Sequence, residues 1–211
     1  MSRATTVASF LNKLPCRFGQ LLLQRADDGA FELRHRGDAG QHDLQTHREP
    51  EAALEIARFD DVGAFRPLKT APNLRRGWRL VLPDETEVRR ALELFYPGRL
   101  AVLQAHENGA LDTTPLRETL ARQTGMYKVA AEISDAQTDE VVANVCRSDG
   151  GCLRTILWPR DANGAAASGL LPATKFDPSF DQTGRAEDTR PLLCQEACNL
   201  LVAAARKFVR P

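Results

Sequence analysis

Four of the five cysteines form two pairs that lie on either side of a long, weakly patterned segment. Cys146 and Cys152 are separated by five residues, two of them adjacent glycines, whereas Cys194 and Cys198 are separated by three. The first ten residues contain no apolar core of signal-peptide length, so we expect a cytoplasmic protein. Since cytoplasmic thiols seldom form structural disulfides, the pairs are better explained as metal ligands, catalytic groups or buried apolar side chains.

The local sequence around each pair suits an anionic, bulky ligand. A helix is predicted from Pro191 to about Val209, and it places Cys194 and Cys198 one turn apart on one face. They fall in its opening turn, where backbone N–H groups lack helical acceptors and stabilise thiolates. The adjacent glycines of the first pair allow the backbone to approach a ligand closely. Four thiolates suit an iron–sulfur cluster or a tetrahedral zinc ion, and the third interpretation is four buried structural thiols.

The spacing favours a cluster over zinc. Structural zinc usually has two to four residues between paired ligands, and the five-residue gap of the first pair exceeds this. Spacing does not separate a [4Fe–4S] from a [2Fe–2S] cluster. Nearby arginines would offset the negative charge of a cluster with four thiolates; these are Arg122, Arg147 and Arg154.

The first part of the chain is predicted to be rich in strands. Residues 17–25 and 31–35 flank an Asp-Asp-Gly turn signal, which predicts a hairpin. An edge strand is expected within 37–47, a helix over 49–59 and a further strand over 77–82. We therefore assign a strand-rich domain to residues 1–83.

The remaining residues are predicted to be mainly helical. Acidic residues after Pro83 and apolar residues at helical spacing to Phe95 predict a helix, and others are expected over 100–106, 115–124 and 139–146. Residues 126–132 are expected to form a short strand. We assign residues 84–211 to a helical, cluster-binding domain with a long loop at 159–190. The fold class is therefore α+β, with a small strand-rich lobe followed by a mainly helical lobe.

Composition excludes several classes of function. Lysine plus arginine and aspartate plus glutamate both total 28, so no net charge drives binding to nucleic acid or to a membrane surface. No apolar window is long enough for a membrane span. We find no nucleophile–base motif, no phosphate loop and no carboxylate pair spaced for acid–base catalysis, and so no independent catalytic motif.

Several segments resemble a known protein family. They are Gly-Ala-Phe-Arg-Pro-Leu at 63–68, Leu-Arg-Arg-Gly-Trp at 74–78, Phe-Tyr-Pro-Gly at 95–98, Arg-Gln-Thr-Gly-Met-Tyr at 122–127 and the two cysteine pairs. Together they resemble the C-terminal region of fused CbiX-type proteins, which are similar to sirohydrochlorin cobaltochelatases. In that family a chelatase domain is followed by a stabilising domain and an iron–sulfur domain. The resemblance covers nearly the whole chain, and the family's chelatase domain has no counterpart in this sequence.

The resemblance implies a cofactor, its ligands and a partner. The family's cluster is [4Fe–4S], and its four cysteines correspond to Cys146, Cys152, Cys194 and Cys198. We expect an electron-transfer or redox-support protein with a redox partner, beside a chelatase or another enzyme of cobalamin- or siroheme-type tetrapyrrole metabolism. The alternative is a non-catalytic adaptor in which an iron–sulfur or zinc centre stabilises the fold and which docks a separate chelatase.

The remaining interpretations concern the expected surroundings of the cluster, the fifth cysteine, two arginine pairs and the histidines. Residues expected to surround the cluster are Arg122, Gln123, Tyr127, Arg147, Arg154 and Trp158. We interpret Cys16 as a small core residue. The pairs Arg75-Arg76 and Arg89-Arg90 suit either anionic groups or salt bridges to neighbouring glutamates. All four histidines, which are His35, His42, His47 and His106, are expected at the surface.

Overall fold

The structure is a computed structural model that describes residues 11, 13–60, 62–66, 74–111, 114, 116–142, 144–145, 155–156, 189–190, 193–194 and 196–209. The chain divides into two compact units. The first comprises residues 1–109 and 181–192, and the second comprises residues 110–180 and 193–211. The strand-rich first part and the helical second part confirm the predicted α+β class.

An antiparallel hairpin forms the middle of the sheet in the first unit. Strand β2 (Leu21–Arg25) pairs with β3 (Phe31–His35) through the predicted turn. In that turn Gly29 has a φ of 84°, a conformation that glycine adopts without steric cost. Strand β1 (Cys16–Phe18) adds to β2 in antiparallel orientation. Cys16 is 3% exposed, which confirms that it is a core residue.

The other strands extend the sheet on both sides. Strand β4 (Gln45–His47) pairs in parallel with β5 (Trp78–Leu82), which in turn pairs antiparallel with β3. A short strand formed by Thr189–Arg190, β7 in chain order, pairs in parallel with β1. The strand order is therefore β4-β5-β3-β2-β1-β7, and β4 is an edge strand as predicted.

Helices of the first unit provide the apolar surface that packs in its core. Besides the short α1 (Ala52–Ile56), they are α2 (Glu85–Phe95) and α3 (Arg99–Glu107). Asp84 caps α2, because its carboxylate accepts the Glu87 N–H at 3.0 Å. The buried face of α2 consists of Val88, Ala91, Leu92 and Phe95. The Phe95 ring stacks on Trp78 of β5 with a centroid separation of 5.1 Å, which joins helix to sheet.

The second unit is built from short helices around its own apolar core. Helix α4 (Leu116–Ala121) packs on α5 (Tyr127–Glu132), and α7 (Asn199–Val209) packs on both α5 and α6 (Asp135–Val142). A small parallel pair joins β6 (Thr155–Ile156) to β8 (Leu193–Cys194). We name this core cluster C; its buried members are Leu116, Leu120, Met126, Val129, Ala130, Ile133, Val141, Val142, Cys194, Leu201 and Ala205.

The strand expected over residues 126–132 is wrong, since helix α5 occupies this position. The buried residues Met126, Val129, Ala130 and Ile133 recur at intervals of three, four and seven from the first, which is helical periodicity. Alanine, lysine and glutamate in the segment also favour a helix. In the part of the chain that the structure describes, no helix is both long and apolar enough to cross a membrane.

Candidate metal centre

Cys194 lies at the end of β8, where Ile156 of β6 is its partner in the parallel pair. Its side chain is 5% exposed and belongs to cluster C, together with Val142 of α6 and Leu201 of α7. A thiol among apolar side chains is shielded from water. Any metal bound to it would share that shielding, which is one of the factors that set the potential of a metal centre.

Cys198 occupies the position directly before helix α7. Its carbonyl oxygen accepts the Val202 N–H at 2.9 Å, the first hydrogen bond of the helical pattern, so Cys198 is the N-cap residue. The side chain is half-buried and packs against cluster C. Cys198 therefore stands at the N-terminus of an 11-residue helix, the end at which backbone N–H groups lack helical acceptors.

The prediction that Cys194 and Cys198 occupy successive turns of one helix is wrong. Cys194 is in a strand, residues 196–198 are not helical, and α7 begins at Asn199. Local sequence favours helix here, but Leu193–Cys194 pairs with Thr155–Ile156, and such long-range pairing overrides local propensity. Cys194 nevertheless belongs to cluster C, and Cys198 packs against the same cluster.

The other cysteine pair lies outside the described residues. This applies to Cys146 and Cys152, and also to the predicted cluster neighbours Arg147, Arg154 and Trp158. Segments on both sides of the pair are described. Val145, which directly precedes Cys146 in the sequence, packs against cluster C, and β6 begins three residues after Cys152.

Potential donors are sparse within the described ranges. There, histidine, cysteine, aspartate and glutamate side chains form no group of three or more that could hold a metal ion. The two cysteines that are described provide thiol donors, the soft ligands that iron–sulfur clusters and zinc require. Their thiol chemistry, the burial of Cys194 and the position of Cys198 at a helix N-terminus fit a cluster with anionic sulfur ligands.

Arg122, Gln123 and Tyr127 are exposed in the structure. The Arg122 guanidinium forms an ion pair with Glu118 one turn earlier, and the Tyr127 side chain is 63% exposed. This segment contacts α7 through Arg206, which donates to the Thr124 carbonyl at 3.1 Å and to the Met126 sulfur at 3.2 Å. Arg206 lies about 12 Å along the helix from Cys198, at a rise of about 1.5 Å per residue.

The prediction from sequence did not include the apolar residues around the two thiols in the site. Val142 and Leu201 are fully buried in cluster C, and Val145 packs against it. The sequence carried a signal for them, because Val141, Val142 and Val145 recur at helical spacing just before Cys146. They form the apolar surroundings that would exclude water from a metal centre.

Comparisons with known proteins give two family matches that together span most of the chain. Residues 4–107 match the model described as the DR2241 stabilising domain, and residues 108–207 match the 4Fe-4S iron-sulfur cluster binding domain. The resemblance stated from the sequence is thereby confirmed for both domains.

One similar solved structure is DR2241 from Deinococcus radiodurans, described as a multi-domain protein with structural similarity to chelatases and two additional novel domains. Its sequence identity to this chain is 35% and the TM-score is 0.69. The alignment covers 96% of this chain but only 40% of that chain, so this chain spans less than half the length of its relative. No curated protein matches significantly.

Proposed function

We propose that Cys146, Cys152, Cys194 and Cys198 hold a [4Fe–4S] cluster, because residues 4–107 match the DR2241 stabilising domain and residues 108–207 match the 4Fe-4S iron-sulfur cluster binding domain. Its role in this proposal is electron transfer or redox support in the cytoplasm, beside a chelatase-like enzyme of cobalamin- or siroheme-type tetrapyrrole metabolism. The observation that carries the ligand assignment is the packing of Cys194 and Cys198 against one apolar cluster.

The flanks of the first cysteine pair support the same ligand set. Thr155 pairs with Leu193, the residue next to Cys194. Cys152 is three residues from Thr155, and three residues of extended chain span at most about 10 Å. On the other side, Val145 packs against cluster C and is bonded to Cys146. Both flanks of the first pair thus support a ligand set that combines it with the second pair.

Four protein thiolates favour electron transfer over substrate chemistry. When bound, a [4Fe–4S] cluster supplies a one-electron redox centre, and four cysteine ligands leave no iron open to a substrate. The residues of this chain would tune that centre. The N–H groups at the start of α7 stabilise negative charge on sulfur, and the apolar side chains around Cys194 exclude water.

The association with a chelatase is inferred from the relative. The matched structure is described as similar to chelatases, and this chain aligns with only 40% of it. A protein that shares the two matched domains would act on, or beside, a chelatase-like component. A pull-down under anaerobic conditions with a purified chelatase of this type should retain the chain, and no retention would contradict the partnership.

A structural role is the second candidate, and the position of Cys194 favours it. That thiol is 5% exposed within the core of a unit whose helices, such as the six-residue α4 and α5, are short. Metal ligands in such a core make binding free energy part of the folding free energy. A redox titration separates the two functions: reversible reduction with the fold retained supports electron transfer, whereas an inert centre supports the structural role.

The ligand assignment is tested by iron, sulfide and zinc analysis after anaerobic purification. We expect iron and sulfide in equal amounts, and about four of each per chain. Cys194→Ala and Cys198→Ala should each lose most of the iron, as should Cys146→Ala and Cys152→Ala. Cys16→Ala is the matched control, because Cys16 is a buried cysteine of the first unit, and it should keep its iron. Zinc without sulfide, or full iron content in the four variants, would contradict the proposal.

A further inference from the structure

A second candidate site lies in the first unit, away from the cysteine pairs. The chain after α1 folds back on itself, with bridges that join Phe59 to Phe65 and Asp60 to Leu74. These contacts form a cleft of about 490 Å³ beside the backbone that leads into β5. The lining residues described for it are Phe59, Asp60, Gly63, Arg75 and Arg76.

Among the lining residues that the structure describes, one carboxylate, that of Asp60, accompanies two guanidinium groups, those of Arg75 and Arg76. One Asp60 carboxylate oxygen accepts hydrogen bonds from the N–H groups of Val62 at 3.1 Å and Ala64 at 2.7 Å. This oxygen therefore stabilises the turn. Within the described residues, neither the Arg75 nor the Arg76 side chain has a hydrogen bond or an ion pair. Two guanidinium groups are therefore available to a negatively charged ligand.

Hydrogen bonds hold the arginine-bearing segment in place. The Leu74 N–H donates to the Gln20 side-chain oxygen at 3.0 Å, and the Gly77 N–H donates to the Asp38 carboxylate at 2.8 Å. Between them, the Trp78 indole N–H donates to the Arg75 carbonyl. Because the backbone is fixed on both sides of the arginines, less conformational entropy is lost when a ligand binds.

Arg76 lies close enough to the buried His35 to act on it electrostatically. Burial lowers the pKa of His35 to about 4, Asp38 opposes this shift, and Arg76, Arg36 and Arg66 add to it. The imidazole is therefore neutral at neutral pH. The effect of the three arginines on it shows that their positive charges act on this part of the first unit.

We propose that this cleft binds a small organic anion, with one or two carboxylate or phosphate groups on an apolar body. Arg75 and Arg76 would pair with the acidic groups, and the half-buried Phe59 ring would contact the apolar portion. The cleft volume lies in the range of small-molecule sites. This site does not depend on the cluster or on the function proposed for it.

Isothermal titration calorimetry of the full chain tests the site with defined probes. Phthalate and phenyl phosphate carry acidic groups on an aromatic ring, inorganic phosphate lacks the apolar part, and benzamide lacks the charge. We expect the first two to bind, inorganic phosphate to bind more weakly and benzamide not at all. The tighter of the two aromatic anions shows which acidic group the cleft prefers.

Substitutions assign the binding to named residues. Arg75→Gln and Arg76→Gln should each weaken phthalate or phenyl phosphate binding about tenfold or more, which is the loss of one charge-assisted hydrogen bond. Arg89→Gln is the matched control, because Arg89 is an exposed arginine of α2 outside the cleft, and it should bind like the unaltered chain. Phe59→Leu should weaken the aromatic anions but leave inorganic phosphate unchanged.

Three outcomes would overturn the proposal. The first is no binding of either aromatic anion at low millimolar concentration. The second is unchanged binding in both arginine variants, whose circular dichroism must match that of the unaltered chain. The third is tight binding of a hexaglutamate peptide without binding of the small anions, since the exposed Val62 and Phe65 would then mark a surface for an acidic protein.

Discussion

Among the residues that the structure describes, His35 is a histidine whose pKa is lowered by burial. It was expected at the surface, and this is wrong, because it is 3% exposed at the end of β3. Its Nδ1 accepts the Gly37 N–H at 2.9 Å, and among the described residues its Nε2 has no hydrogen-bond partner. Sequence alone gave no sign of this, because β3 is buried along its whole length rather than on one face.

The buried imidazole predicts a loss of stability in mild acid. Burial lowers the pKa of His35 from 6.5 to about 4 in the folded chain. As the pH falls below 6.5 the unfolded chain binds a proton that the folded chain does not, so the free energy of unfolding decreases until about pH 4. The decrease amounts to about 3 kcal/mol at most. Denaturant unfolding of the first unit between pH 7 and pH 4 measures it.

His35→Asn isolates this contribution. The asparagine side-chain oxygen can still accept the Gly37 N–H, but the side chain does not titrate. We expect the variant to lose less stability than the unaltered chain over the same pH interval, by about 3 kcal/mol. His42→Asn removes an exposed histidine and should reproduce the original pH dependence. Parallel curves for His35→Asn and the unaltered chain would disprove the assignment.

Glu32 is a buried carboxylate that is stabilised by its ion-pair and hydrogen-bond partners. Its side chain is 4% exposed and forms ion pairs with Arg34 and Arg79. It also accepts a hydrogen bond from the Gln24 amide at 2.9 Å. Glu32→Ala leaves the buried Arg34 guanidinium without its anion, which should cost about 3–5 kcal/mol of unfolding free energy. The fluorescence of the buried Trp78 during urea unfolding, in a Trp158→Phe background, measures the change.

An exposed ion pair provides the control for Glu32. Glu55 and Arg58 are both more than half exposed and lie 3.2 Å apart. Glu55→Ala should therefore cost less than about 1 kcal/mol. Similar losses of unfolding free energy for Glu55→Ala and Glu32→Ala would show that burial does not determine how much these ion pairs contribute to stability.

Among the elements, α2 depends on its N-cap residue, Asp84. The Asp84 carboxylate accepts the Glu87 N–H and lies at the positive end of the helix. Asp84→Ala should lower the free energy of unfolding by about 1 kcal/mol. Asp84→Asn keeps the oxygen acceptor and should lose only a few tenths of that. Equal losses in the two variants, measured by the same urea unfolding, would rule out the capping role.

Elements determined by neighbouring residues were predictable, and those determined by distant partners were not. The hairpin of β2 and β3 follows from alternating residues around an Asp-Asp-Gly turn, and α2 follows from its cap and its apolar spacing. The pairing of β1 with residues 189–190 joins segments far apart in the sequence and has no local signal. The sequence of α5 does have helical periodicity, but the prediction of a strand did not take that periodicity into account.

The same distinction applies to the metal centre. Sequence made the four paired thiols candidate ligands, because paired cysteines, here with adjacent glycines inside the first pair, are typical of metal sites. It did not predict that Cys194 is in a strand, since that depends on pairing with β6. It marked Val142 as an apolar position at helical spacing, but it could not place Val142 and Leu201 beside the Cys194 thiol, because tertiary packing brings α6 and α7 together.

At the scale of the whole molecule, the two units should respond differently to loss of the metal. The proposed ligands Cys194 and Cys198 pack against cluster C, which lies in the second unit. The first unit has its own buried residues, among them Leu33, Leu80 and Leu92. Iron removal therefore subtracts binding free energy from the unit that holds the ligands and leaves the core of the other unit intact.

Hydrogen–deuterium exchange with mass spectrometry can resolve this difference along the chain. After oxidative removal of iron with a chelator, we expect amide exchange in α4–α7 to accelerate at least tenfold, which corresponds to a loss of about 1.4 kcal/mol in local opening free energy. Exchange in β2, β3, β5 and α2 should not change. The Cys16→Ala chain treated in the same way should repeat this pattern, because its ligands are intact. Acceleration in both units, or in neither, would show that the metal does not stabilise the second unit selectively.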